Sequence, residues 1–296
     1  MLKNQKYDRL FSGHSLRVFL LITWFAMLVE FASGQKDRPL WIDDKGIRNH
    51  TLVSPHQKNN TILRVLLPKN IKHDYRYRIL FVLPVHESGL FKNGNGLLEV
   101  QKLNIHNEHK LICVAPSFSS KPWYADHDLN PNKKDESHLL KTVIPYIEEN
   151  YPVIKNYKGR LLVGFSKSGW GAISLLLRHP DKFYKAVAWD PGIRIDTGQF
   201  ENPTEKIHRI RRDFGSNENF EKYRISTLLK TPIKGLGGDP RLFYYNRLGS
   251  HRTRGGGVIH NLMIKRGISH KYAVDQKREH RWDSGWLSEA ILFLTQ

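Results

Sequence analysis

The sequence predicts an α/β fold, with a mostly parallel central sheet and helices on both faces. Three observations predict it. Nearly continuous apolar runs of strand length recur, at Arg78–Val85, Leu111–Ala115, Leu161–Val163 and Lys185–Trp189. Such runs suit strands buried on both sides rather than strands with one wet face. Helical patterns fall between them, as a crossover between parallel strands requires. And the run Leu161–Val163 ends in a glycine- and serine-rich turn that leads straight into a helical segment, Ala172–Arg178. At 296 residues the chain is long enough for one large domain with a well-buried core.

Taken in order, residues 1–34 read as a signal peptide or an uncleaved N-terminal anchor. Lys3, Lys6, Arg9 and Arg17 give a basic start, Val18–Val29 is apolar, and Ala32-Ser33-Gly34 supplies small residues for a peptidase. The apolar stretch is short for a membrane span. On either reading the folded part lies outside the cytoplasm: secreted, periplasmic or at the cell surface. Residues 35–60 read as a loose polar lead-in. Asn49-His50-Thr51 and Asn59-Asn60-Thr61 are glycosylation sequons, relevant only in a eukaryotic host. The main domain is expected over 61–296, starting with a strand at Thr61–Leu67. After the strand Arg78–Val85 comes a loop from His86 through Gly96, then a helix over Leu97–His106 and the strand Leu111–Ala115. A long loop, Pro116–Lys134, carries Pro122-Trp123-Tyr124, and loops of this length are often functional. An amphipathic helix is expected over Ser137–Tyr151. Beyond Trp189 the pattern turns irregular, and residues 193–238, with a helix near Asn219–Leu229, are read as a small cap. Strand Arg241–Tyr245, helix Val258–Arg266, a last strand around Lys271–Ala273 and helix Trp286–Leu294 complete the chain.

The candidate chemistry centres on Gly164-Phe165-Ser166-Lys167-Ser168. A serine between a strand and a helix, with small residues two before and two after, matches a nucleophile elbow, whose sharp turn lets neighbouring backbone come close. Gly164 and Ser168 meet that need for Ser166, although the last position is usually glycine. The other register, Ser168 as nucleophile, would put bulky Trp170 two places on. A serine hydroxyl needs a base and an acid to orient it. Position selects His280 among fifteen histidines, because it stands in the loop between the last strand and the last helix. The acid is harder to place. No carboxylate occurs between Pro240 and Val274, the usual location. Asp190, ending the preceding strand, is the first choice, with Asp239 and Asp283 as alternatives. The oxyanion of an acyl-transfer transition state needs two backbone N–H donors. These are assigned to Lys167 and to the loop at His86 or Glu87. Trp123 and Tyr124 are read as walls of an acyl or aromatic pocket, or as packing under their loop.

These segments resemble the esterase branch of the α/β-hydrolase superfamily, which includes S-formylglutathione hydrolases, feruloyl and enterochelin esterases and the mycolyltransferases. The resemblance rests on Phe81–Val85, Pro122-Trp123-Tyr124, Gly164–Gly171 and Glu279-His280-Arg281-Trp282, in the order that fold requires. It implies an α/β-hydrolase fold and hydrolysis of a carboxylic ester through an acyl-enzyme, with no metal and no organic cofactor. A small-molecule or glycan-linked ester is the expected substrate. An acyltransferase on the same scaffold and a non-catalytic glycan or cell-surface binder remain as alternatives.

Charge and cysteine content narrow the classes further. The formal charge is +19, and residues 1–34, with four Lys/Arg and two Asp/Glu, account for +2 of it, leaving +17. The basic residues are scattered, with small clusters at Arg209, Arg211 and Arg212 and at Arg247, Arg252 and Arg254. No zinc pattern or nucleic-acid motif accompanies them, so nucleic acid is not an expected partner, and a membrane is one only if the N-terminal segment is uncleaved. Cys113 is the only cysteine. It excludes an internal disulfide and reads as a buried inert thiol.

Overall fold

The computed structural model describes residues 40–87, 93–197, 202–236, 238–249 and 251–296. The expected signal peptide or anchor, 1–34, lies outside them. Nine strands form one sheet: β1 Leu40–Ile42, β2 Arg48–Leu52, β3 Thr61–Leu66, β4 Arg78–Leu83, β5 Leu111–Pro116, β6 Arg160–Phe165, β7 Lys185–Trp189, β8 Leu242–Arg247 and β9 His270–Asp275. Their spatial order is β1-β2-β3-β5-β4-β6-β7-β8-β9. From β5 through β9 every pairing is parallel, while β1, β2 and β3 join antiparallel at one side.

The period of two along each strand divides the core in two. On β4, Ile79, Phe81 and Leu83 point to one face and Leu80 and Val82 to the other. The first face is covered by a helix that begins at Asp135–His138, passes through a π-helical turn, Leu139–Val143, and continues as Ile144–Asn150 (together α3). It is also covered by α4, Ser166–Arg178, and α9, His251–Lys265. The opposite face is covered by α1, Gly96–Lys102, α2, Ile105–Glu108, and α10, Leu287–Thr295. Helix α2 is separated from α1 by Asn104, which adopts φ +57°, so the single helix expected over 97–106 becomes two.

Two elements differ from expectation for identifiable reasons. The loose lead-in of 35–60 contains β1 and β2. Strand β2 hides from an apolar-pattern search because two of its three buried residues, Asn49 and His50, are polar and hydrogen-bonded. Asn49 donates to the Ile47 carbonyl (2.9 Å), and the His50 ring bonds the hydroxyls of Tyr146 and Tyr151 (2.7 and 2.5 Å). Asn49 is only 3% exposed, so its sequon is inaccessible in the folded chain. Helix α9 begins seven residues before the expected Val258 and runs through Gly255-Gly256-Gly257. A Cβ on Gly256 would stand 1.9 Å from the side-chain oxygen of Asn246, and one on Gly255 would stand 2.9 Å from Ile193. Close packing against β8, rather than helix propensity, selects glycine there. Within 193–238 lie α5 Arg194–Thr197, α6 Pro203–Phe214, α7 Asn217–Tyr223 and α8 Ile225–Leu228. Buried Asp196 ties α5 to α4 and α8, accepting from Trp170 Nε1 and from the Ile225 and Ser226 amides. Cys113 is fully buried in β5, where burial pushes its thiol pKa up.

Candidate active site

Parallel strands deliver their following loops to one edge of the sheet. Ser166 follows β6, Asp190 follows the neighbouring β7, and His280 lies in the loop after β9. Ser166 is the first residue of α4 and has φ +53°, a left-handed conformation that is strained for a side-chain-bearing residue. The turn is possible because a Cβ on Gly164 would meet the Ser168 carbonyl oxygen at 2.2 Å. Ser168, the departure from the usual glycine, fits by folding back on the turn. Its hydroxyl accepts from the Phe165 N–H (3.0 Å) and donates to the Phe165 carbonyl (2.9 Å), and it is fully buried. The substitution therefore braces the elbow instead of spoiling it.

The three residues first chosen from the sequence meet. His280 Nε2 lies 3.1 Å from Ser166 Oγ, and His280 Nδ1 lies 2.5 Å from Asp190 Oδ2. Asp190 has no exposed surface and adopts φ +40°. Its other oxygen, Oδ1, receives the Arg247 N–H (3.3 Å) and faces the Asn246 amide nitrogen (3.5 Å). Pro191 and Gly192 bring this carboxylate to the nucleophile. The Gly192 N–H donates to the Ser166 carbonyl (2.8 Å), and a Cβ on Gly169 would touch Pro191 at 3.3 Å. The alternatives for the acid lie elsewhere. Asp283 pairs with Arg281 (2.8 Å), and Asp239 lines a cleft with Lys185, Arg241 and Lys271, near the starts of β7, β8 and β9.

The loop bearing His280 is anchored on both sides. Trp189 Nε1 donates to the Glu279 carbonyl (3.0 Å), Asn93 donates to the His280 carbonyl (2.6 Å), and Trp286 Nε1 donates to the Arg281 carbonyl (3.0 Å). The Phe165 ring packs on the imidazole at 4.4 Å between centroids. Asn93, Trp189, Trp286 and Asn246 were given no role at the site in the sequence analysis. A tryptophan or asparagine at a strand end carries no signal of its loop partner.

The N–H of Lys167 belongs to the first turn of α4 and has no acceptor within the helix. The loop after β4, to which the second donor was assigned, is anchored by Tyr124 Oη, which donates to the Pro84 carbonyl (2.6 Å), and by the Phe118 N–H, which donates to the Glu87 carbonyl (3.2 Å). The His86 ring is partly exposed, and burial, then Lys167 and Lys121, lower its pKa. Tyr124 corrects the sequence reading. It is fully buried, its ring fills the space a side chain on Gly171 would occupy (2.2 Å), and it walls no pocket. Its neighbour Trp123 is 7% exposed, donates through Nε1 to Asp213 (2.9 Å), and lies under the ammonium of Lys167, 5.4 Å from the ring centre.

The family described as "Putative esterase" matches residues 54–196, the stretch from before β3 to just past Asp190. Over that stretch the chain matches the esterase family, and its fold is that of the α/β-hydrolases. Two curated relatives, Esterase Rv1288 and Esterase MT1326, both of Mycobacterium tuberculosis, are 25% identical over 160 residues, covering 53% of this chain and 31% of theirs. The aligned part thus spans about a third of the length of those relatives. Among solved structures, FphF, a fluorophosphonate-binding serine hydrolase of Staphylococcus aureus, superposes with a TM-score of 0.67 at 17% identity, covering 84% of this chain and 97% of that one. An S-formylglutathione hydrolase from Agrobacterium tumefaciens gives 0.68 at 12% identity, with 88% and 98% coverage. A ferulic acid esterase from Anaeromyces mucronatus, in complex with ferulic acid, gives 0.57 at 15% identity, with 88% and 92% coverage. At these identities the structures establish the α/β-hydrolase fold.

Proposed function

We propose that this chain is a serine esterase that cleaves carboxylic esters through an acyl-enzyme. The observation that carries the reading is the unbroken chain of contacts from Ser166 Oγ through the His280 ring to Asp190. Asp190 accepts a hydrogen bond from the Nδ1–H of His280, which fixes the tautomer with Nε2 free to take a proton. Ser166 Oγ attacks the ester carbonyl carbon while its proton passes to Nε2. The carbonyl oxygen becomes an oxyanion, met by the Lys167 N–H and a second N–H from the loop at His86 and Glu87. When the tetrahedral intermediate collapses, the bond to the alcohol breaks and Nε2 returns the proton to that leaving oxygen. Water then enters, gives a proton to Nε2 and attacks the acyl carbon; the bond to Ser166 Oγ breaks, Oγ takes the proton back from Nε2, and the acid is released.

The reading of a non-catalytic binder rests on the high positive charge and on the missing acid after β8, and the Asp190–His280 contact removes the second of these motives. Hydrolysis is favoured over acyl transfer because the matching family and the solved neighbours carry esterase and hydrolase names. Small ester substrates fit the neighbours' titles, which name S-formylglutathione and ferulic acid enzymes. We further propose that the protein acts outside the cytoplasm, on the strength of the basic, apolar and small-residue order of 1–34. The deciding experiment for catalysis is labelling with a fluorophosphonate. The folded protein should label, and Ser166→Ala should abolish labelling and hydrolysis of 4-nitrophenyl acetate. A folded wild-type protein that neither labels nor turns over small esters would defeat the proposal. N-terminal sequencing of protein recovered from its host tests the location, and an intact residue 1 on cytoplasmic protein would refute it.

A further inference from the structure

The mechanism uses the backbone of Lys167 and leaves its side chain unemployed. That side chain is half-buried next to the nucleophile, and the rings that it and His280 pack on belong to cores on opposite faces of the sheet. The His280 ring packs with Phe165 and, through it, with Trp282, in the core on one face of the sheet. Trp123, beneath the Lys167 ammonium, packs with Trp170 and Phe214 in the core on the other face. Lys167 makes no ion pair among the described residues. The nearby carboxylates are committed elsewhere. Asp213 is held by Arg212 (2.8 Å), Lys133 (3.4 Å) and Trp123 Nε1 (2.9 Å). Asp135 is fully buried and accepts from the Trp123 N–H (3.0 Å) and Gln57 (3.3 Å). Lys121 and Lys133 add positive charge near Lys167, and Lys167 and Lys121 both act electrostatically on His86.

We infer that the Lys167 ammonium is an anion-binding subsite for the acyl part of the substrate, so that the preferred ester carries a carboxylate or similar anionic group on its acid portion. This rests on the esterase reading above. The assignment to the acyl side follows from proton transfer. The leaving oxygen must face His280 Nε2 to be protonated, so the group reaching the opposite flank, over Trp123, is the acyl chain. The half-buried ammonium is well suited to the role, because a cation with few competing partners in a partly dry site binds an anion more strongly than one in open water. Burial, with Lys121 and Lys133, pushes its pKa down to about 8 against the upward pull of Asp213 and Asp135, which marks it as incompletely neutralised.

The test compares kcat/KM for the 4-nitrophenyl monoester of glutaric acid with that for 4-nitrophenyl butyrate. A second pair places the carboxylate on the nitrophenol of the butyrate ester instead. Wild-type protein should favour the anionic acyl ester by about tenfold or more, the scale expected of one charge-assisted contact. Lys167→Gln should bring that ratio close to one, and Lys167→Arg should keep it within about threefold of wild type. Added salt should erode the preference, and so should raising the pH through about 8, where the ammonium loses its proton. The leaving-group pair should show a ratio near one in both proteins. A wild-type ratio of one or less, or a ratio unmoved by Lys167→Gln in a variant that melts like wild type, overturns the inference. A preference that appears only with the leaving-group carboxylate overturns the acyl assignment. Fluorophosphonate labelling of wild type separates the two levels. A labelled protein with a flat ratio defeats the subsite alone, and a folded protein that does not label takes the esterase reading and the subsite with it.

Discussion

Asp190→Asn offers the sharpest test of how the site is wired. The two oxygens of Asp190 do different work. Oδ2 accepts from His280 Nδ1 at 2.5 Å, while Oδ1 is occupied by the Arg247 N–H at 3.3 Å, with the Asn246 amide at 3.5 Å. An asparagine has one acceptor and one donor end. The Arg247 N–H forces the acceptor end inward, since an amide NH₂ facing it would bury two donors against each other. The NH₂ group then meets His280, which must answer with an unprotonated Nδ1. That tautomer carries its proton on Nε2 and cannot take one from Ser166. A wrong tautomer in an otherwise intact serine site costs on the order of 10³–10⁴ in kcat. At about 1.4 kcal/mol per tenfold this is about 4–5.5 kcal/mol of transition-state stabilisation. The assay is steady-state hydrolysis of 4-nitrophenyl acetate beside the rate of fluorophosphonate labelling, with a thermal melt to show that the variant folds. Asp239→Asn and Asp283→Asn serve as controls and should keep near wild-type rates. If folded Asp190→Asn retains more than about a tenth of the activity, or Asp283→Asn loses as much, the assignment of the acid is wrong.

Other consequences follow from individual contacts. Ser168→Gly restores the usual elbow glycine but removes both hydrogen bonds to Phe165 and loosens the backbone. It should lower stability by about 1–2 kcal/mol in a urea titration while labelling at Ser166 persists, and an unchanged midpoint would contradict the bracing role of Ser168. Gly256→Ala places a methyl 1.9 Å from the Asn246 oxygen and should lower the melting temperature by several degrees, with reduced activity because Asn246 faces Asp190; a neutral result would mean that α9 does not press on β8 this closely. Burial tends to raise the Glu136 pKa, but its pairs with Arg178 (2.7 Å) and His179 (2.5 Å) win and hold it down at about 2. A carboxylate depressed in the folded state contributes stability above its ordinary 4.5 that is lost as pH falls through about 2. Wild type should therefore exceed Glu136→Gln by about 3 kcal/mol at pH 6, with the gap closing towards pH 2, and a gap that does not change with pH would refute the pairing.

Much of this was legible in the chain because the central strands announce themselves. Strands β4 to β7 are apolar on both faces, and only a parallel sheet under two helical layers asks for that. The elbow was legible because its geometry demands small residues at fixed offsets from Ser166, and His280 because the fold places its loop. The edge strands were not, because β2 buries Asn49 and His50 as hydrogen-bonded polar groups, which leave no period-two hydrophobic trace. Helix α6 escaped for a related reason, with only Ile210, Asp213 and Phe214 of its twelve residues buried. Tyr124 misled because an aromatic in a long loop looks the same in sequence whether it lines a cleft or, as here, packs on Gly171 and holds the Pro84 carbonyl.

The acid at Asp190 rather than after β8 follows from where strain can be placed. Ser166 and Asp190 both take left-handed backbone conformations, at the ends of adjacent parallel strands. Each such residue costs on the order of 1 kcal/mol or more, so the surroundings must over-determine it. Here the two supports are shared. The Gly192 N–H, just past Asp190, holds the Ser166 carbonyl, and Pro191 packs on Gly169 in the first turn of the helix that Ser166 begins. Each bend therefore braces the other. A carboxylate at the end of β8 would lie one strand farther from the elbow. That place is taken by Asn246, an uncharged amide whose nitrogen faces Asp190 Oδ1. A second carboxylate there would set two negative charges against each other in a buried site and push one of them to protonate. Asparagine at 246 avoids that conflict and leaves Asp190 free to orient His280.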